Sequence, residues 1–229
     1  MLRLVAFDMD GTLVDVPSSW RSVHEHFDDR TEEGLRAVLE NRIDDHEFVR
    51  SDIRIWKRHL PEITIFDIDR ILAPVPLMPG ATVLLRELRA HGVRTAIVSG
   101  GIDRLAKRIG QVLGIDYVLA NGFRTDAEGR LTGEGIIRVP IWGKERVLAG
   151  IQEQLGIGPE ETGAVGNSEI DVGMFRRARV SVAFRPDDMA VRAAATTIVE
   201  SGELTQALGA LLETEGGAPS PAERPSQPS

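Results

Sequence analysis

The chain reads as an α/β protein: a doubly wound parallel sheet with helices on both faces and a small helical segment inserted after the first strand. Three observations predict it. Short apolar runs of strand length recur at residues 2–7, 95–98, 163–165 and 180–184. Amphipathic patterns of helical spacing lie between them. Glycine stands at the position where each pattern stops.

Residues 2–7 form the opening strand, closed by the turn-former Gly11. From residue 17 to 74 strand signals give way to amphipathic stretches at 24–27, 32–42 and 47–60, the expected insert. Residues 81–90 carry apolar positions at helical spacing, with Pro79 ahead and Gly92 behind. The strand at 95–98 is followed by a helix over 102–113 that ends at Gly114, and a helix over 144–155 ends at Gly156. Residues 124–132, inside the irregular stretch 117–139, predict a β-hairpin with Gly129 in its turn. From 213 onward Pro, Ser, Gly and Glu dominate, which predicts a disordered tail. The expected organisation is a core of 1–16 and 75–212, a helical cap of 17–74, and the tail 213–229.

At 229 residues with 42% apolar content the chain can bury a full core. It has no cysteine, which excludes disulfides and thiolate metal sites and points to the cytoplasm. No apolar run is long enough to span a bilayer, and Asp8 interrupts the N-terminus before a signal peptide could form. A formal charge of −8 argues against a nucleic-acid partner, because a phosphate backbone needs a positive footprint. The sequence carries no signal of oligomeric state. His24 and His26 are two apart and point to different helix faces, and His46, His59 and His91 are isolated, so solvated histidines are expected rather than a zinc site. Trp20, Trp56 and Trp142 are expected in packing roles, with Trp20 a possible wall of a pocket under the insert.

The chemistry-bearing feature is Asp8-Met9-Asp10-Gly11-Thr12, directly after the first strand. On an extended backbone residues two apart share a side, so Asp8 and Asp10 can face one site. That site lies beyond the carboxyl end of a strand, where open parallel sheets bind their ligands. By itself the run could equally be ordinary turn chemistry.

Three further pieces follow in order: Ser99 in Val98-Ser99-Gly100-Gly101, Lys144 opening a helix, and Gly166-Asn167-Ser168-Glu169-Ile170-Asp171 after another strand. Together they resemble the four motifs of the haloacid dehalogenase superfamily. The stretches from Val98 to Asp103, from Leu113 to Tyr117, and from Leu131 to Glu134 are similar to its phosphoserine phosphatase branch.

That resemblance implies a magnesium-dependent phosphatase acting on a small phosphorylated metabolite, phosphoserine favoured, in serine biosynthesis. It implies that Asp8 is the nucleophile forming an aspartyl-phosphate, and that Asp10 is the general acid and base. Ser99 and the N–H groups of Gly100 and Gly11 would hold phosphoryl oxygens, with Lys144 neutralising charge. Magnesium would sit on Asp8, the Asp10 carbonyl and the loop bearing Asn167 and Asp171. A dehalogenase has no use for an acid at Asp10, and a transport ATPase would need membrane helices.

Two departures matter. Asn167 stands where most relatives have Asp, so a negative charge is missing unless Glu169 or Asp171 compensates. This opens a second reading, a non-catalytic phosphate-binding module. The family's ammonium-binding Glu has no counterpart near Asp15, and its carboxylate-binding Arg is expected at Arg50 or Arg54, four apart on one helix face, Arg50 favoured by register.

Overall fold

In the computed structural model, residues 1–29, 33–200 and 202–212 are described. β1 (Leu4–Phe7) is followed by four helices, α1 (Ser19–His26), α2 (Glu33–Leu39), α3 (Asp45–His59) and α4 (Ile65–Leu72). Then come α5 (Ala81–Ala90), β2 (Arg94–Ile102), α6 (Asp103–Leu113), the hairpin β3 (Tyr117–Thr125) and β4 (Leu131–Ile136), and α7 (Lys144–Leu155). β5 (Thr162–Gly166), α8 (Val172–Phe175), β6 (Val180–Phe184), α9 (Met189–Ala194), β7 (Thr197–Val199) and α10 (Leu208–Leu212) complete it.

The seven strands run in the order β4-β3-β2-β1-β5-β6-β7. All pair in parallel except the β3–β4 hairpin. β1 is therefore central, and the chain crosses it between β4 and β5, which opens a crevice at its carboxyl end.

All four residues of β1 are buried, as a strand covered on both faces requires. Alternate side chains divide between two cores: Val5 and Phe7 join the cluster that includes α1, α3 and α5, while Leu4 and Ala6 join Leu148 and Ile151 of α7. The same alternation turns Asp8 toward the α7 face.

The predicted insert is the α1–α4 segment. Asp44 caps α3 by accepting from the Glu47 N–H at 2.7 Å, and Thr64 with Asp67 forms a capping box on α4. Trp20 and Trp56 pack against Phe123 of β3 and Phe48 packs against Trp20, so these helices share the core of one sheet face. Gly114 (φ +65°) and Gly156 (φ +60°) end α6 and α7 in the left-handed conformation the sequence predicts.

Several expectations are corrected. β2 extends through Ser99, Gly100 and Gly101 to Ile102, because Ile102 still pairs with Asn121 across a bulge. Ser99 therefore lies inside a strand and caps no helix. β7 and α8–α10 went unread in the sequence, being three to six residues long, shorter than a hydrophobic period can report. His24 is not solvated: it is 4% exposed, with Nε2 3.2 Å from Asp52 and its ring edge-on to Trp56. Burial raises the Asp52 carboxyl pKa and His24 opposes that rise. Trp142 is exposed rather than packed. The predicted tail lies outside the described residues. Among those described, no helix is long and apolar enough to cross a membrane.

Candidate active site

The crevice at the end of β1 opens into a cavity of about 400 Å³ lined by Asp8, Asp10, Ser99, Gly100 and Asn167 from the sheet, and by Trp20, Leu39 and Phe48 from the inserted helices. The carboxyl ends of three strands, β1, β2 and β5, thus converge on one cavity. Their sequence separation is bridged by pairing of β1 with both β2 and β5, and by the Asp8 N–H donating to Val165 O at 2.9 Å.

Asp8 is 4% exposed, and Lys144 Nζ lies 2.8 Å from its Oδ1. Lys144 comes from the first turn of α7 and is fully enclosed. Its second partner is Asp171 Oδ1 at 2.6 Å. Burial alone would lower the ammonium's pKa, but the Asp171 and Asp8 carboxylates outweigh it and hold the group above the ordinary lysine range. Asp8 itself is pushed up to about 7 by burial, with Lys144 opposing and Asp171 adding to the rise.

Asp10 is raised too, chiefly by burial and against hydrogen bonds from Ser19. The Ser19 N–H and hydroxyl both donate to Asp10 Oδ2 at 2.8 Å. Asp10 Oδ1 is buried and has no hydrogen-bond partner. Gly101 must be glycine because a Cβ there would lie 2.7 Å from Asp10 Oδ2.

Ser99 is buried, lines the cleft, and its hydroxyl accepts from the Gly101 N–H at 3.1 Å. The Gly100 carbonyl accepts from Trp20 Nε1 at 3.0 Å and from Asn121 Nδ2 at 3.2 Å. Asn167 Oδ1 accepts from the Thr12 hydroxyl at 3.4 Å. Asp187 also lines the cleft, and burial with the neighbouring Asp188 raises it to about 6.

Three expected roles meet a different geometry. Asp171 does not line the cleft. Its Oδ1 holds Lys144 and its Oδ2 accepts from the N–H groups of Asn167 and Ser168 at 2.9 and 3.1 Å, so both oxygens are already engaged. The Gly11 N–H donates to Val16 O at 2.7 Å and is not available to a phosphoryl oxygen. Arg50 points away from the cavity: Nε bridges both Glu134 oxygens at 3.1 Å and Nη1 reaches Glu47 at 2.9 Å. Arg54, the alternative, is exposed and turned to Glu47 as well.

Ser19 was missed by sequence reasoning, since a serine in a Ser-Ser pair at a helix start looks like a cap; only Ser18 caps α1. Asn121 of β3 clamps the Gly100 carbonyl, a role that spacing along the chain does not signal.

A divalent cation fits this donor set. Asp8 and Asp171 share a single ammonium, which leaves one negative charge uncompensated in a buried site whenever both are ionised, and Asp10 Oδ1 is buried without a partner beside them. Among the described residues no three His, Cys, Asp or Glu side chains form a metal-binding group, so the donors would be few: Asp8, a carbonyl and the Asn167 amide oxygen. Few protein ligands and several retained waters is the habit of magnesium.

The model of the haloacid dehalogenase-like hydrolase family matches residues 5–176. A phosphoserine phosphatase from Idiomarina loihiensis is 30% identical over 217 residues, covering 93% of this chain and 94% of the relative. One from Albidiferax ferrireducens is 32% identical over 215 residues, 90% of this chain and 88% of the relative. The chain spans about half, 54%, of a third from Archaeoglobus fulgidus, at 31% identity. Among solved structures, a substrate-bound phosphoserine phosphatase complex superposes with a TM-score of 0.77 at 25% identity, over 91% of this chain and 97% of that one. A phospho-aspartyl intermediate analogue of phosphoserine phosphatase gives 0.75 at 26% identity, over 90% and 97%. The chain belongs to the haloacid dehalogenase-like hydrolase family, on its phosphoserine phosphatase branch.

Proposed function

We propose that this phosphoric monoester hydrolase works by covalent catalysis on Asp8, with magnesium bound beside it and a small phosphorylated metabolite as substrate. The observation that carries the reading is the buried contact of Lys144 with Asp8 at 2.8 Å, beside the raised carboxyl of Asp10. Residues 17–74 are read as the cap over this site, and 1–16 with 75–212 as the core.

Asp8 attacks phosphorus in line and the bond to the leaving oxygen breaks, which gives an aspartyl-phosphate. Asp10, whose burial favours the protonated form, gives its proton to that oxygen. It then takes a proton from water as water attacks phosphorus, which releases phosphate and restores Asp8. Lys144 favours the ionised form of Asp8 and balances phosphoryl charge. The Ser99 hydroxyl and the Gly100 amide are the groups read as holding phosphoryl oxygens. Magnesium, when bound, screens the repulsion between carboxylate and phosphate. The likeness to a phospho-aspartyl intermediate analogue supports the covalent step. The relatives' names favour phosphoserine among candidate esters.

Hydrolysis of an aryl phosphate in magnesium, abolished by EDTA and by Asp8→Asn, is the expected result. The amide at Asn167 favours one alternative, a module that binds phosphorylated ligands without turnover. Binding of phosphate analogues with no hydrolysis and no phosphate on Asp8 would establish that alternative.

A further inference from the structure

The relatives' names point to an amino-acid phosphate, but the side chains that would meet its head group are this chain's own. Besides Asp8, Asp10 and Ser99, the cavity is lined by the apolar side chains of Trp20, Leu35, Leu39, Phe48 and Ile141. This wall is rigid where it is aromatic. Trp20 is pinned by its Nε1 donating to Gly100 O, stacked on Trp56 at 5.8 Å, and packed edge-on to Phe48 at 5.2 Å.

The charged side chains around the cavity all carry one sign. Asp45, Glu169, Asp187 and Asp188 line it beside Asp8 and Asp10. Lys144 is spent between Asp8 and Asp171. Arg50 and Arg54 are held on the outer side of α3 by Glu134 and Glu47. Among the described residues no arginine or lysine lines the cavity. A substrate carboxylate entering it would lose its water and meet further carboxylates, a repulsive element that discriminates as strongly as an attractive one.

We infer that the leaving-group side of the cleft selects a neutral, apolar alcohol, aromatic or branched aliphatic, so that the substrates are apolar phosphomonoesters rather than phosphorylated amino acids. This rests on the phosphatase reading for the phosphoryl side only. Phe48 and Trp20 are the specificity-determining residues, and Leu35 and Leu39 extend their apolar surface. A cavity of about 400 Å³, at the small end of the range for ligand sites, limits the alcohol to a single ring or a short branched chain beside the phosphate.

The test compares benzyl phosphate, a branched alkyl phosphate, phosphoserine and methyl phosphate on the full chain with magnesium. Expected is a kcat/KM for benzyl phosphate at least about tenfold above that for phosphoserine, with the difference mainly in KM, the scale on which apolar pockets discriminate. Leu35→Ser, at a partly exposed position where folding is little affected, and Phe48→Leu should raise KM for benzyl phosphate several-fold more than for methyl phosphate. Phosphoserine turned over as well as or better than benzyl phosphate would overturn the inference and leave the phosphatase reading standing. Should no ester be hydrolysed, the phosphatase reading fails, and calorimetry still decides the pocket's preference. Benzylphosphonate must then bind at least about tenfold more tightly than the phosphonate analogue of phosphoserine, and equal or reversed affinities refute the inference.

Discussion

Ser19 ties Asp10 to the end of β2: its hydroxyl donates to Asp10 Oδ2 at 2.8 Å and accepts from the Ile102 N–H at 2.9 Å. A residue at the start of the first inserted helix therefore sets the rotamer of the proposed general acid. The helix and the acid cannot move independently.

Ser19→Ala should lower kcat on the order of tenfold with a smaller change in KM, because the acid loses its orientation more than its proton. The serine's hydroxyl bond opposes the burial that raises Asp10, so its loss, with the backbone N–H bond kept, raises the acid's pKa further. The alkaline limb of the kcat profile, which reports a group that must be protonated, should shift to higher pH. A limb that stays put would argue that Ser19 only supports folding.

Asp171 is expected to act as the anchor of Lys144. Asp171→Asn halves the ammonium's charge partners in a fully enclosed site and should destabilise the fold by roughly 3–5 kcal/mol, measured by urea unfolding. Metal affinity should fall far less than for Asp8→Asn. An equal loss of magnesium binding in both variants would return Asp171 to the coordination shell.

In EDTA the protein should lose stability as pH rises. The folded-state pKa of Asp8 is about 7, above its ordinary value of 3.8, so its contribution is complete below about pH 4 and lost as pH climbs through 7. Asp10 is raised as well and adds to the same slope. Unfolding free energy should fall between about pH 5 and pH 8 by an amount on the order of a few kcal/mol, read as a lowered thermal midpoint. Asp8→Asn should flatten that fall, and so should magnesium, which favours the ionised carboxylates. A midpoint rising over this window would contradict the sign.

Asn167→Asp restores a carboxylate beside Thr12 and should tighten magnesium binding on the order of tenfold in a calorimetric titration, since site charge sets cation affinity. An unchanged affinity would remove position 167 from the metal's shell.

Arg50→Ala should leave KM for every phosphoester within about twofold. Its guanidinium is engaged by Glu134 and Glu47 on a half-exposed face, and pairs of that kind contribute about 1 kcal/mol or less. A large rise in KM for phosphoserine alone would show that Arg50 turns inward to bind substrate.

The central strands, the inserted helices and the loops that meet at β1 were legible in local sequence. Apolar runs bounded by Gly11, Gly114 and Gly156 depend on local periodicity and backbone conformation, which neighbouring residues specify. The resemblance added an order for the motif loops, though not the contacts each would make. Long-range packing assigned Asp171 to Lys144, the Gly11 amide to Val16, and Ser19 to Asp10. It also decided that Arg50 faces outward and His24 inward, because a helix's charged positions choose their side only when another surface, here the β3–β4 hairpin or Trp56, is brought against them. Which partner a polar side chain meets is a long-range property. Spacing along the chain carries no record of it.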